Sequence, residues 1–177
     1  TYKASSGGGD IATGLSTDSH FYHTSLNFDG TGDNFTTPAN SQFDFGTGAY
    51  TLEFWIKPTT DAGWLYYDAG SRNKGLRVCI GKNGGNSSNA GKIEFNEQVG
   101  NNDVYTQGTS RVDDGKWHHV AICRGDSGAA TKLFVNGVHE ATGKPNRNFD
   151  NNNTVYIGAR SDGSGTNFNG NMQDFRM

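Results

Sequence analysis

The chain has 177 residues, a formal net charge of −3, 32% hydrophobic residues and 26 glycines. With 15 Lys and Arg against 18 Asp and Glu, it offers no excess positive field for nucleic acid. No run approaches the roughly 18 apolar residues of a membrane span. Glycine and asparagine fill a quarter of the chain and tolerate the left-handed backbone of tight turns, so short strands suit it better than long helices.

Residues 1–24 differ from the rest. SSGGGD (Ser5 to Asp10) has the composition of a flexible linker, and it leads to HFYH (His20 to His23). This segment is expected to tether the chain or to dock on a partner. From Ser25 the pattern becomes period two, with Leu26 and Phe28 on one face. In YTLEFWIK, Tyr50, Leu52, Phe54 and Ile56 face one way and Thr51, Glu53, Trp55 and Lys57 the other, and Pro58 ends the strand. Leu76, Val78 and Ile80 repeat the alternation, as do Ile93 and Phe95. Trp117 to Cys123 reads as a strand covered on both sides. Asn136-Gly137, between Leu133-Phe134-Val135 and Val138, predicts a type I′ hairpin. Thr154 to Gly158 and Met172 to Met177 read as further strands, the last ending abruptly, as if the chain continued or packed near its terminus in a larger assembly. Ten to twelve short strands without a long helix imply an all-β antiparallel sandwich in one domain, residues 25–177.

Several stretches together resemble laminin-G-like, concanavalin A-like jelly-roll domains. They are SLNFDGTGDNFTTP (Ser25 to Pro38), FDFGTGAYTLEFWIKP (Phe43 to Pro58) and GKWHHVAI (Gly115 to Ile122), then KLFVNGV (Lys132 to Val138), YIGA (Tyr156 to Ala159) and NGNMQDFRM (Asn169 to Met177). The wording is most similar to versions in bacteriophage virion proteins. The resemblance implies a two-sheet jelly-roll sandwich that binds glycans or proteins, with calcium at a loop rim. It further implies a noncatalytic structural or decoration role on a virion exterior, in capsid, tail or fibre, within an oligomeric assembly. Other virion structural proteins and host-surface glycans are the expected partners. The alternative is an extracellular glycan-binding adhesin module.

Glycoside hydrolysis needs two carboxylates across a cleft. Glu94 and Glu97, three apart, point to opposite faces of a strand, and Glu53 has only Thr51 and Trp55 beside it on its own face. No catalytic residue is therefore expected. His118 and His119 point oppositely and read as structural, and a Cys79–Cys123 bridge requires neighbouring strands. For calcium, Asp29, Asp33 and Asn34 crowd one turn, and the family topology implies that Asp174 joins them; Asp103 with Asp150 or Asp162 is a second grouping. For a sugar, an aromatic plane beside polar groups selects Trp64 and Tyr105, with Arg72, Asn102 and Asp103 as companions. Trp55 and Trp117 read as structural.

Overall fold

In the fifth strand, every second residue is swallowed by the core while its neighbours stay outside. The computed structural model of the protein describes residues 3–4, 15–21, 24–68, 74–81, 89–100, 102–149, 153–161 and 165–177. Among them are β1 (Lys3–Ala4), β2 (Leu15–Ser16), β3 (Ser25–Asp29), β4 (Phe35–Thr36), a 3-10 turn (Ser41–Phe43), β5 (Tyr50–Pro58), β6 (Gly63–Asp68) and β7 (Lys74–Ile80). β8 (Lys92–Val99), β9 (Asn102–Arg111), β10 (His118–Arg124), β11 (Lys132–Val135), β12 (Val138–Thr142), β13 (Val155–Ile157) and β14 (Asn169–Arg176) complete the order. The first sheet runs β1-β4-β13-β6-β7-β8-β9 and the second β12-β11-β10-β5-β14-β3-β2. The strands pair antiparallel throughout. This is the expected jelly-roll sandwich.

The second sheet sends Leu52, Phe54, Ile56, Val120, Ile122, Leu133 and Met172 inward. The first sheet answers with Leu65, Tyr66, Leu76, Val78, Ile80, Ile93 and Phe95. Removing this apolar surface from water is the main favourable term. Gly170 keeps β14 against β5: a Cβ there would overlap the Lys57 carbonyl oxygen, and its φ is 142°.

One end of the sandwich is locked by buried polar groups. The Arg124 guanidinium, 2% exposed, donates to the carbonyls of Gly48 (2.8 Å), Arg147 (2.6 Å) and Gly46 (2.8 Å). It also lies over the rings of Tyr50 (5.0 Å) and Phe149 (5.3 Å). The Tyr50 hydroxyl meets Thr131 Oγ1 at 3.0 Å, and Thr131 donates to buried Glu97 Oε1 at 2.7 Å. Glu97 Oε2 accepts from the Lys144 N–H at 2.8 Å. Glu97 belongs to the first sheet, Tyr50 and Arg124 to the second, so the network ties one sheet to the other. Burial raises the Tyr50 hydroxyl's pKa, keeping it a neutral member of that network.

The His118 ring and the His119 backbone are structural in a specific way. Asn136 Oδ1 accepts from the His119 N–H (3.0 Å), which turns its amide nitrogen toward His118 Nδ1 (3.0 Å). Nδ1 must then accept, so Nε2 carries the hydrogen and donates to Asp114 Oδ1 at 2.8 Å. Asn136, at φ 52°, is thus both a residue of the β11–β12 turn and a clamp on β10.

Parts of the segment expected to be separate from the domain belong to it. β1 pairs with β4 and β2 with β3, so a boundary at residue 24 falls inside the second sheet. Asp18 bonds Lys57 Nζ (2.5 Å) and accepts from Trp117 Nε1 (3.2 Å). The His20 and Phe21 N–H groups both donate to Gln173 Oε1, at 2.9 and 3.2 Å. The linker run Ser5 to Asp10 lies outside the described residues. Cys79 and Cys123 form no disulfide: they sit on the outer faces of opposite sheets, about 10 Å apart by layer spacing, too far for one.

Two predictions follow from these contacts. Arg124→Met removes the donor of the buried Arg147 carbonyl, one donor each from the Gly46 and Gly48 carbonyls, and the cation over the Tyr50 and Phe149 rings, and should cost about 3 kcal/mol in urea unfolding; a loss within error of zero would show that the network is dispensable. The His118 hydrogen bond holds the Asp114 carboxyl at about 2, below its usual 3.8. A depressed folded value means that the contribution is full above about pH 4 and drains as pH falls through about 2. The stability gap between the native protein and Asp114→Ala should therefore close across that window in acid titrations.

Candidate functional site

Because cross-strand partners share a face, the register defines what the outer surface of the first sheet displays. One row runs Thr36, Tyr156, Tyr67, Arg77, Asn96, Tyr105. Beside it runs a second, Trp64, Cys79, Glu94, Gln107, with Asn167 bridged to Trp64. Gln98 and Asp103 pair next to the first row. Trp64 reaches this face because a bulge between Trp64 and Tyr66 turns Leu65 and Tyr66 together into the core.

The face is aromatic at its centre. Trp64 and Tyr67 meet edge to face at 5.3 Å, with Cys79 packed beneath them. The Arg77 guanidinium lies 4.8 Å from the Tyr67 ring centre and donates to Gln98 Oε1. Arg160 lies over Trp64 (5.9 Å) and Tyr67 (5.6 Å). The Cys79 thiol donates to the Gly81 carbonyl at 3.1 Å.

What sets this face apart is its unsatisfied polar atoms. Trp64 Nε1, Arg77 Nε, both side-chain atoms of Asn96, Gln107 Nε2 and Asn167 Oδ1 are buried and have no hydrogen-bond partner among the described residues. Each such group costs about 1–3 kcal/mol relative to a paired one. Native proteins tolerate few, so a cluster on one surface is the mark of a site that something polar completes.

Of the residues selected for sugar binding, Trp64, Tyr105 and Asp103 come to this one face. Asn102 points to the other side, opposite Val99, and Arg72 lies outside the described residues. Trp64 is 2% exposed, so it offers an N–H rather than an open ring. Tyr105, 42% exposed at the edge strand, is the accessible ring, its hydroxyl donating to Asp103 Oδ2 at 3.2 Å. Asn96, Gln107 and Arg77 were not selected from the sequence. Alternation marks Arg77, between Leu76 and Val78, and Asn96, out of phase with Ile93 and Phe95, as outward, but only the strand register brings them and Gln107 to one face.

The expected calcium set does not assemble. Antiparallel pairing puts Asn169, not Asp174, opposite Asp29. Asp174 lies five residues further along β14, roughly 16 Å at strand spacing. There it pairs with Arg176 at 2.7 Å. Asp29 Oδ1 accepts from the Thr31 N–H (2.6 Å), Asp33 Oδ2 from the Asp29 N–H (3.1 Å), and Asn34 donates to the Gly32 carbonyl (2.9 Å). These side chains cap their own turn. No group of three or more metal-ligating His, Cys, Asp or Glu occurs among the described residues. Asp150 and Asp162, from the second grouping, lie outside them.

A domain of the mouse laminin α1 chain, in its LG4-5 region, shares this fold at TM-score 0.70 and 18% identity over 86% of this chain. The match spans only 40% of that structure. Domain 4 of AbnA, a GH43 extracellular arabinanase from Geobacillus stearothermophilus solved with arabinotriose, matches at TM-score 0.66 and 17% identity, covering 99% of this chain and 80% of that one. The binding domain of Paraclostridial Mosquitocidal Protein 1 matches at 0.62 and 15%, covering 90% of this chain and 40% of that one. No curated protein sequence matches. Residues 29–177 match the family model described as the concanavalin A-like lectin/glucanases superfamily, of laminin G type, and the chain belongs to that family.

Proposed function

We propose that this domain is a noncatalytic glycan-binding module that takes saccharide across the outer face of the first sheet. The observation that carries the reading is the cluster of buried, unpartnered polar atoms on Trp64, Arg77, Asn96, Gln107 and Asn167. A sugar hydroxyl both donates and accepts, so neighbouring hydroxyls can serve the N–H groups of Trp64, Arg77 and Gln107 while also meeting both ends of the Asn96 amide. Tyr105 and half-buried Tyr156 flank the row with rings for the apolar face of a sugar. The Arg160 guanidinium lies over Trp64 and Tyr67 and has to move aside as ligand enters. The arabinotriose complex of the arabinanase domain is a sandwich of the same kind holding an oligosaccharide, which supports the ligand class.

Hydrolysis is not part of this reading. Among the described residues, the carboxylates of this face are Glu94 and Asp103. Glu94 pairs with Gln107, four residues from Asp103 along β9, which is roughly 13 Å. Paired carboxylates in glycosidases stand about 5–9.5 Å apart. Burial raises the Cys123 thiol, which keeps it protonated and a poor nucleophile.

The finer reading places the module on a bacteriophage virion exterior, where it contacts host-surface glycan beside other virion proteins. A small sandwich with a saccharide face is what such a decoration would present. Mass spectrometry and labelling of purified particles test that location; recovery only as free extracellular protein would leave the adhesin alternative.

Asn96→Ala and Gln107→Ala should each weaken binding of arabinotriose, or of whichever oligosaccharide binds best in a screen, by about tenfold. Thermal stability should stay level or rise, because each change removes a buried unpaired amide. Unchanged affinity in both variants would overturn the site. Chelation of calcium should leave affinity unchanged by calorimetry.

A further inference from the structure

The outer face of the second sheet carries a cleft of about 510 Å³ lined by Phe21, Glu53, Trp55, His119, Asp174 and Arg176. Part of its wall is brought by Phe21, in a segment that the Gln173 and Asp18 contacts hold against β14 and β5. His20 stacks on Trp55 at 4.0 Å and 23°, and Phe21 meets Trp55 edge to face at 4.9 Å. The Phe21 ring is 57% exposed, an unusual position for a large aromatic held in place by two backbone hydrogen bonds.

The polar side of the cleft is charge-compensated. Arg176 stands between Glu53 (3.6 Å) and Asp174 (2.7 Å), and His119 Nε2 is 3.4 Å from Glu53. A bulge between Gln173 and Arg176, with Asp174 at φ 55°, puts Asp174 and Arg176 beside each other here. A cationic ligand would meet Arg176, and an anionic one would meet two carboxylates. A neutral molecule rich in hydroxyls meets neither obstacle. Carboxylate oxygens accept from adjacent hydroxyls, the guanidinium donates to them, and Phe21 and Trp55 cover an apolar ring face. The volume suits one or two sugar rings.

We propose that this cleft is a second saccharide site, selective for uncharged sugars, on the opposite side of the sandwich from the first. It rests on the reading above for its ligand class but not for its location or residues. The domain would then carry two ligands on opposite faces, with the two sheets about 10 Å apart between them. Such a module cross-links glycan chains rather than only holding one, and gains avidity on a surface that displays many copies.

The three tryptophans let one experiment read both faces, because the Trp55 indole reports the cleft and the Trp64 indole the first sheet. The full chain would be titrated in 15N–1H spectra with neutral trisaccharides: arabinotriose, cellotriose and maltotriose. Glucosamine and galacturonate trimers serve as the charged comparisons. The expected result is a Trp55 shift with at least one neutral trimer and weaker response to both charged ones. Phe21→Ala and Glu53→Gln should each weaken that response by about tenfold while leaving the Trp64 response unchanged. Both positions are outside the core, so folding should survive, and the Trp64 and Trp117 signals check it. A Trp55 signal that no neutral trimer moves, or that the glucosamine or galacturonate trimer moves more strongly, overturns the proposal. A Trp55 shift without any Trp64 shift would instead overturn the first site and leave this one standing.

Discussion

Strand alternation across a two-sheet sandwich is the constraint on which everything else here depends. One residue in two is committed to the core, so each sheet has one outer face free to differ. Slipping β5 by one residue would exchange Leu52, Phe54 and Ile56 for Glu53, Trp55 and Lys57 and so place charges in the core. The register is therefore held at several points. Gly170 lets β14 close on the Lys57 backbone, Asn136 fastens the β11–β12 turn to β10, and the Arg124–Tyr50–Thr131–Glu97 network holds the sheets against each other. With that frame fixed, the outer faces need not contribute to stability in the same way.

The edges of the sheets are closed in a related manner. β9 is the edge of the first sheet and β12 of the second. Glu140 on β12 accepts from the N–H groups of Thr109 (2.9 Å) and Ser110 (3.3 Å), which would otherwise be open to another strand. A long polar edge strand is thereby blunted by a single carboxylate from the facing sheet. Tyr105 stays exposed on the same strand, so blunting the edge does not hide the ring that the proposed site uses.

What could be seen in the sequence was what alternates. The strands with clean period two, around Leu52, Leu76, Ile93 and Val155, were visible in the residue order, and the Asn136-Gly137 hairpin announced itself through turn chemistry. β6 was missed because GWLYYD is buried along its whole length, with a bulge at its centre, so no polar phase marks it. β9 was missed for the opposite reason: an edge strand with little buried face has no apolar phase. The final strand begins at Asn169 rather than Met172, because its first residues, Asn169, Gly170 and Asn171, carry no apolar phase although all three pair with β3 and the last two also with β5. Trp64, Tyr105 and Asp103 could be selected by residue type, whereas Arg77, Asn96 and Gln107 join them only through the register of four strands. Asp174 was assigned to the wrong end of β14, since nearness of two strands does not say which of their residues are opposite.

The two outer faces solve the problem of holding a polar ligand differently. On the first sheet polar groups are buried without a partner among the described residues, which costs stability, and in the proposed site the ligand recovers what folding gave up. On the second sheet Arg176, Glu53, Asp174 and His119 satisfy one another, so a ligand must replace existing contacts and gains less per hydrogen bond. The aromatic wall of Phe21 and Trp55 has to supply more of the binding there. An unsatisfied cluster is tolerable only in a fold with stability to spare, and this one has a continuous apolar core and a cross-sheet polar lock at one end. A compensated cleft makes no such demand, which is why it can be assembled partly from residues 15–21, a segment that contributes only a two-residue strand to the sheet. By this logic affinity belongs mainly to the first sheet and cross-linking to the second, and the frame that permits both is the alternation set in the core.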